Sequence, residues 1–457
     1  MGLACSSINK YKNKKQYNWN DLSKNTISLI LNFLTLLDLA SLRIIQKRLQ
    51  NIKGIFSNLL IYSKIITCFE SEQILNLVYK NQVKTIIFEY EYHELQMKII
   101  SKFAHLEILK LNYIIYLKKV KLQNSLKYLQ HLKYLKYLEI NNCCITSIDL
   151  EYLSGLVNLQ ELVFQDCSIS VSSFNTLINV QKLILNNCII FDKTSEYFLK
   201  IYKNINELVI NSCSIFDNSL HHLGIMTNLK ALTIIDYGLI IRLVLSSECL
   251  QYIANMEKLE YLHLSCRYMT KDNLEYLINL TKLKCIKLCF SNGYTMGDNL
   301  KYLYKMKQLT SLSITIDECD KLHGINYLVN LNLQELYLIN FCLTIDNIKI
   351  IATLNLRKLT LHNCIIPYNG LKYLEKCKNL QYLDLSCLNV TNKELKCIAN
   401  MKNLQNSLEY ISVHKCYNVS LNGLKHFKKL RSLKQISTNY VNKTELKKLF
   451  PNVIISY

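Results

Sequence analysis

One eleven-residue line recurs through this chain and decides what it can fold into. It reads LQELVFQDCSI from Leu159 to Ile169, VQKLILNNCII from Val180 to Ile190 and LRKLTLHNCII from Leu356 to Ile366. Between copies lies a second phrase with apolar residues three apart, as in NLEYLINLTKL from Asn273 to Leu283. Register marks fall at Val83, Leu106, Leu135, Leu159, Val180, Ile205, Leu229, Leu259, Leu283, Leu309, Leu333, Leu356, Leu380, Leu408 and Leu433, most often 24 residues apart. A fixed period of this length signals stacked repeats, in which each unit packs only on its neighbours.

The alternation L-x-L predicts a short strand with one buried face, and the second phrase predicts one apolar stripe of a short helix. The expected fold class is therefore α/β: a solenoid of about 14 units over 83–457, each a parallel strand plus a short helix in ~24 residues. At about 4.8 Å per strand, the strands would line roughly 60–65 Å of concave surface. Each repeat inserts three or four large aliphatic side chains, worth ~1.5–3 kcal/mol apiece when fully buried. The scarcity of Gly (10) and Pro (2) in 457 residues argues against a turn-rich all-β fold or a disordered chain.

Eighteen cysteines would suggest disulfides in a secreted protein, but the stretch from Met1 to Lys15 has no apolar core of a secretory signal. Cys143, Cys167, Cys188, Cys213, Cys364 and Cys416 share one repeat position, as expected of buried, reduced thiols in a cytoplasmic protein. No C-x-x-C spacing occurs, so neither a zinc site nor any other metal or cofactor is expected. The formal charge of +21 is concentrated in segments such as Lys118 to Lys136 and Lys425 to Lys448.

The repeat line, with the continuation YLDLSCLNVTNKELKCIANMKNL from Tyr382 to Leu404, resembles the cysteine-containing subtype of leucine-rich repeats. The resemblance covers about four-fifths of the chain. It implies a binding protein rather than an enzyme, and no phosphate-binding glycine loop, H-E-x-x-H or G-x-S-x-G motif points elsewhere.

Ahead of the repeats, residues 19–58 carry apolar positions at Ile27, Ile30, Leu31 and Leu34, then at Leu39, Leu42, Ile45 and Leu49. Each set has the spacing of a short amphipathic helix, with Asp38 at the junction as a cap. Leu22, Ile30, Leu31, Phe33, Leu34, Asp38, Leu39, Leu42, Arg43, Ile45 and Lys47 fall in register with an F-box, which this segment resembles. It departs at Ser23, Thr26 and Leu49, where the family has proline, an acid and tryptophan. The resemblance implies that Leu22, Ile30, Leu31, Phe33, Leu34, Asp38, Leu39, Leu42 and Ile45 dock a Skp-type adaptor and, through it, a cullin. The chain would then be the substrate-recognition subunit of a cullin–RING ubiquitin ligase, its repeats holding a target protein. The alternative is that the helical pair only caps the open end of the solenoid, leaving a protein-binding scaffold with no ligase role. A connecting helix is expected over 59–82.

The first residues, Met1-Gly2-Leu3-Ala4-Cys5-Ser6, fit a myristoylation signal on Gly2, with Cys5 open to palmitoylation and Lys10, Lys12, Lys14 and Lys15 close behind. One acyl chain holds a membrane only marginally, whereas two signals hold it firmly. The basic tail, 1–18, is thus expected to place the protein on the cytoplasmic face of a membrane.

Positions flanking the strand leucines should face the concave surface. In the C-terminal half these are Tyr261, His263, Tyr337, His362, Tyr382, Asp384, Tyr410 and His414, the candidate target-binding set. Lysine is sparse there (Lys182, Lys287, Lys358). A groove that tracks nucleic-acid phosphates needs Lys or Arg at these positions, so a protein partner is expected rather than nucleic acid.

Overall fold

A computed structural model of the chain describes residues 58–62, 84–89, 97–98, 100–112, 120–121, 125–170, 177–190, 204–213, 224, 226–235, 249–266, 272–290, 296–440 and 442–456. Two compact units are present: residues 1–144 with 148–160, and residues 145–147 with 161–457. The division falls inside the repeat array that the sequence reads as one domain. Because a repeat packs only on its neighbours, a boundary between repeats can divide the array without splitting a shared globular core.

In the first unit, β1 (Asn58–Tyr62), β2 (Thr85–Glu89), β3 (Ile108–Asn112) and β4 (Tyr137–Asn141) pair in parallel and in step. The strand at Asn58–Tyr62 corrects the expectation of a helix throughout 59–82. Its sequence, NLLIY, supplies β-forming residues but lacks the downstream C-x-I by which the repeat is recognised.

In the second unit the parallel ladder runs through β5 (Glu161–Gln165), β6 (Lys182–Asn186), β7 (Glu207–Asn211), β8 (Ala231–Ile235), β9 (Tyr261–Cys266), β10 (Cys285–Phe290) and β11 (Ser311–Lys321). It continues through β12 (Glu335–Cys342), β13 (Lys358–His362), β14 (Tyr382–Asp384), β15 (Tyr410–Val413), β16 (Gln435–Thr438) and β17 (Ile454–Ser456). One such strand per repeat is what the L-x-L line dictates, and two repeats add a two-residue second strand, Ser168–Ile169 paired in parallel with Ile189–Ile190. β11 departs from the pattern: it extends to eleven residues, and its pairing with β12 shifts register between Thr315 and Asp320.

In the strands of the central ladder the second and fourth residues form the core. Leu262 and Leu264, Ile286 and Leu288, Leu312 and Ile314, Leu336 and Leu338, and Leu359 and Leu361 are all buried. Against them pack the apolar residues of a short helix between strands, which is α-helical in some repeats, as at Ile345–Thr353 and Asn392–Asn400, and 3₁₀ in others, as at Asn273–Asn279 and Gly370–Lys376. Two of the α-helices begin in capping boxes, Thr344 with Asn347 and Thr391 with Glu394, which satisfy otherwise orphaned N–H groups.

The end of each strand explains the shared cysteine. Asn142, Asp166, Asn187, Ser212 and Asn363 all have positive φ, and each immediately precedes a Cys. Asn and Asp tolerate this left-handed backbone better than other non-glycine residues. The turn swings the thiol inward, where it is buried and can reach across to the previous repeat. Cys188 Sγ donates to the Phe164 carbonyl at 3.4 Å, Cys213 to Leu185 at 3.4 Å, Cys364 to Leu338 at 3.3 Å and Cys416 to Leu385 at 3.1 Å. A small apolar residue with a weak donor fills the space and meets the carbonyl at once. All six repeat-position cysteines are unpaired by disulfide and buried.

Candidate functional site

With residues two and four of each strand buried, residues one and three form two rows along the open face of the second unit's sheet. From β9 to β15 the pairing register places Tyr261, Cys285, Ser311, Glu335, Lys358, Tyr382 and Tyr410 side by side in the first row. The third-position row reads His263, Lys287, Ser313, Tyr337, Thr360, Asp384 and Ser412. Four tyrosines and lysines of these rows, Tyr337, Lys358, Tyr382 and Tyr410, gather toward the C-terminal side. Tyr382 and Tyr410 stack nearly coplanar, with ring centroids 4.1 Å apart and 3° between planes. The Lys358 ammonium lies 4.3 Å from the Tyr382 centroid and 5.2 Å from that of Tyr337. Lys287 repeats the arrangement over Tyr261, at 5.4 Å. Each such cation–ring contact is worth about 0.5–1 kcal/mol at an exposed site, enough to fix the direction of a long side chain.

A pocket of 390 Å³ opens at the Lys287 site, lined in part by Tyr261, Cys285, Lys287, Ser311, Glu335 and Tyr337. Glu335 Oε2 accepts from the Ser311 hydroxyl at 2.9 Å and from the Tyr337 hydroxyl at 3.1 Å. Burial raises the Tyr337 phenol, and the Glu335 carboxylate raises it further, so Tyr337 holds its proton and remains a donor. Tyr382 is raised in the same direction, by burial first and then by its hydrogen bond with Tyr410. His263 moves the other way, to about 4, because burial and then the neighbouring Lys287 disfavour its charged form. At neutral pH it is an uncharged imidazole, 3.9 Å from the Cys289 sulfur.

The sequence-derived set is thus partly gathered. Tyr261, His263, Tyr337, Tyr382, Asp384 and Tyr410 lie in the two rows, on four strands between β9 and β15 rather than converging on a point. His362 lies at the fifth position of β13, registered with Ile339, and His414 follows the last residue of β15. Neither histidine belongs to the rows. Asp384 is turned to local duty: Ser386 donates to its Oδ1 through both N–H, at 2.9 Å, and hydroxyl, and that hydroxyl meets Ser412 Oγ at 2.7 Å. The residues the sequence undervalued are Lys287 and Lys358, which cap tyrosine faces rather than merely punctuating a neutral strip. Among the described residues, no group of three or more His, Cys, Asp or Glu side chains is arranged to hold a metal ion. The adaptor-docking set from Leu22 to Ile45, and the acylation sites Gly2 and Cys5, lie outside the described residues.

Further upstream in the second unit, the first row is charged rather than aromatic. Lys182 sits between Glu161 at 3.6 Å and Glu207 at 3.2 Å, so its charge is met on both sides. The open face therefore changes character along the ladder, from closed ion pairs at β5–β7 to cations lodged on rings at β9–β15.

Comparison by sequence finds no matching family model and no matching curated protein. Among solved structures, the chain is similar to a leucine-rich-repeat protein of Leptospira interrogans, 18% identical, with 90% of this chain and 98% of that one covered and a TM-score of 0.48. It is also similar to an internalin of Listeria monocytogenes, 17% identical, with 82% of this chain and 90% of that one covered and a TM-score of 0.42.

Proposed function

We propose that this chain is a protein-binding repeat protein that serves as the substrate receptor of a cullin–RING ubiquitin ligase. The observation that carries the binding role is the open-face stack of Tyr337, Lys358, Tyr382 and Tyr410, amphipathic rings held in fixed orientation and still half exposed. Rigid aromatic anchors of this kind supply much of the energy of protein–protein contacts at little entropic cost. The ligase role is supported by the register of Leu22, Ile30, Leu31, Phe33, Leu34, Asp38, Leu39, Leu42 and Ile45 with the F-box pattern. In this reading the chain itself performs no chemistry. It raises the local concentration of a target lysine beside a charged ubiquitin-conjugating enzyme, converting a bimolecular encounter into an effectively intramolecular one.

Co-purification with a Skp-type adaptor tests the ligase half. The parent chain is expected to retain the adaptor, and Leu34→Asp or Leu39→Asp to lose it while the repeats melt as before. Equal capture by these variants would remove the F-box assignment. The acylated N-terminus adds a location: Gly2 myristoylated and Cys5 palmitoylated, with the lysines behind them, hold the receptor on a membrane surface. Gly2→Ala is expected to move the protein from the membrane to the soluble fraction of expressing cells, and unchanged partitioning would exclude the anchor.

A further inference from the structure

The two lysines on the open face differ from the acids beside them in what they leave available. Glu335 already accepts from Ser311 and Tyr337, and Asp384 from Ser386. Lys287 and Lys358 have no carboxylate within ion-pair distance among the described residues and instead rest on tyrosine rings. A ring face attracts an ammonium without accepting its hydrogens along normal hydrogen-bond directions, so an approaching carboxylate adds to that contact rather than displacing it. Lys182 and Lys110 show the contrast, for both are already closed by glutamates.

Geometry sets the spacing such a ligand needs. Lys287 and Lys358 stand on strands three steps apart in the ladder. At ~4.8 Å per step, the two ammonium sites are on the order of 15 Å apart. An extended chain advances about 3.3 Å per residue, so four or five residues bridge them. From the Lys287 site the pocket extends over Ser311, Glu335 and Tyr337, on the strands that lead toward Lys358, with room for one intervening side chain. The nearby His263 is uncharged at neutral pH, so it neither competes for nor supplies a second cation.

We propose that the open face from β9 to β15 takes an extended acidic peptide segment of the partner protein, with two carboxylates four or five residues apart seated on Lys287 and Lys358. This rests on the protein-binding reading above and adds the chemistry of the partner. The flanking rings of Tyr261, Tyr382 and Tyr410 supply apolar contact on either side of the charges, and Tyr261 and Tyr382 hold the lysines in place before the ligand arrives.

Selection of a random dodecapeptide display library on the full chain tests this. The parent is expected to enrich peptides with Asp or Glu pairs spaced by four or five. A fluorescein-labelled peptide from that pool is expected to bind at least ten-fold more weakly to Lys287→Ser/Lys358→Ser, and several-fold more weakly on raising salt from about 50 to 300 mM. The chain carries a formal charge of +21, so loose attraction of acids must be separated from this site. Acidic enrichment that persists undiminished in the double variant, or peptide binding within two-fold of the parent, overturns the proposal. Enrichment of acid-free peptides that is lost in Tyr382→Ala overturns it too but leaves the protein-binding reading standing. Absence of any peptide whose binding depends on Tyr382 or the two lysines overturns both. The unchanged melting profile of each surface variant shows that it is folded.

Discussion

Leu361→Ala is expected to lower the unfolding free energy by about 3–4 kcal/mol, whereas Lys358→Ala, three residues earlier on the same strand, changes it by less than about 1 kcal/mol. Leu361 is fully buried on β13 and registered with Leu338 of β12, with repeats on both sides that cannot collapse into the space left behind. Truncation removes the transfer energy of its buried methyl groups and leaves a cavity whose lining loses its contacts. Lys358 is half-exposed in the first row, where its contacts are two ring faces. Urea unfolding followed by circular dichroism reads both. The pair tests the alternation itself: comparable losses at the two positions would mean that strand residues one and four do not face opposite ways. A loss below about 1 kcal/mol at Leu361 would be equally damaging, since it would leave the sheet without the core on which the repeats depend.

That alternation is why so much of the ladder was legible. A period of two in L-x-L has only one way to bury both leucines, so strand positions, core rows and the buried cysteine followed from spacing alone. What escaped depended on features without a distinctive spacing. β1 carries apolar residues but no cysteine line, and β11 runs on through ITIDECDK, a stretch that matches no repeat phrase. Whether an interstrand turn winds as α or 3₁₀ is set by caps such as Thr344 and Thr391 and by neighbouring packing, not by the stripe of leucines that both forms share. The left-handed residue stands in the sequence as an Asn or Asp before Cys143, Cys167, Cys188 and Cys364, but as Ser212 before Cys213, and its backbone meaning emerges only from the turn. At the site, the tyrosines were found by position. The lysines were counted as background, because which way a four-carbon side chain leans across neighbouring strands is decided by the rings it meets and not by its place in the line. His362 and His414 also flank the strand leucines, yet they fall beyond the two rows, where the strands end.

The buried thiols should make the array lose stability in mild alkali. Burial pushes Cys364 and Cys377 from an ordinary 9.0 up to about 12. Both are nearly inaccessible, and their thiols point at the carbonyls of Leu338 and Ala352. Between about 9 and about 12 the unfolded chain sheds these protons while the folded chain keeps them. Unfolding is therefore coupled to proton release, and the stabilisation is complete below about 9 and falls as the pH rises through that window. Each thiol approaches a slope of about 1.4 kcal/mol per pH unit once the unfolded thiol is ionised, so the two together remove about 2 kcal/mol between pH 9 and pH 10. Raised tyrosines such as Tyr337 and Tyr382 act with the same sign at somewhat higher pH, while deprotonation of lysines relieves some of the repulsion in so basic a chain. The double variant Cys364→Ala/Cys377→Ala separates these effects. It is expected to be the less stable protein at pH 7, by about 1 kcal/mol per site, and to show a shallower decline from pH 8 to pH 10 in urea titrations. Parallel declines for parent and variant would mean that the thiols ionise as readily inside the fold as outside it. The two thiols would then be serving only as filler between repeats. A shallower decline assigns them a second role, that of keeping otherwise reactive side chains protonated in the dry interior of the array.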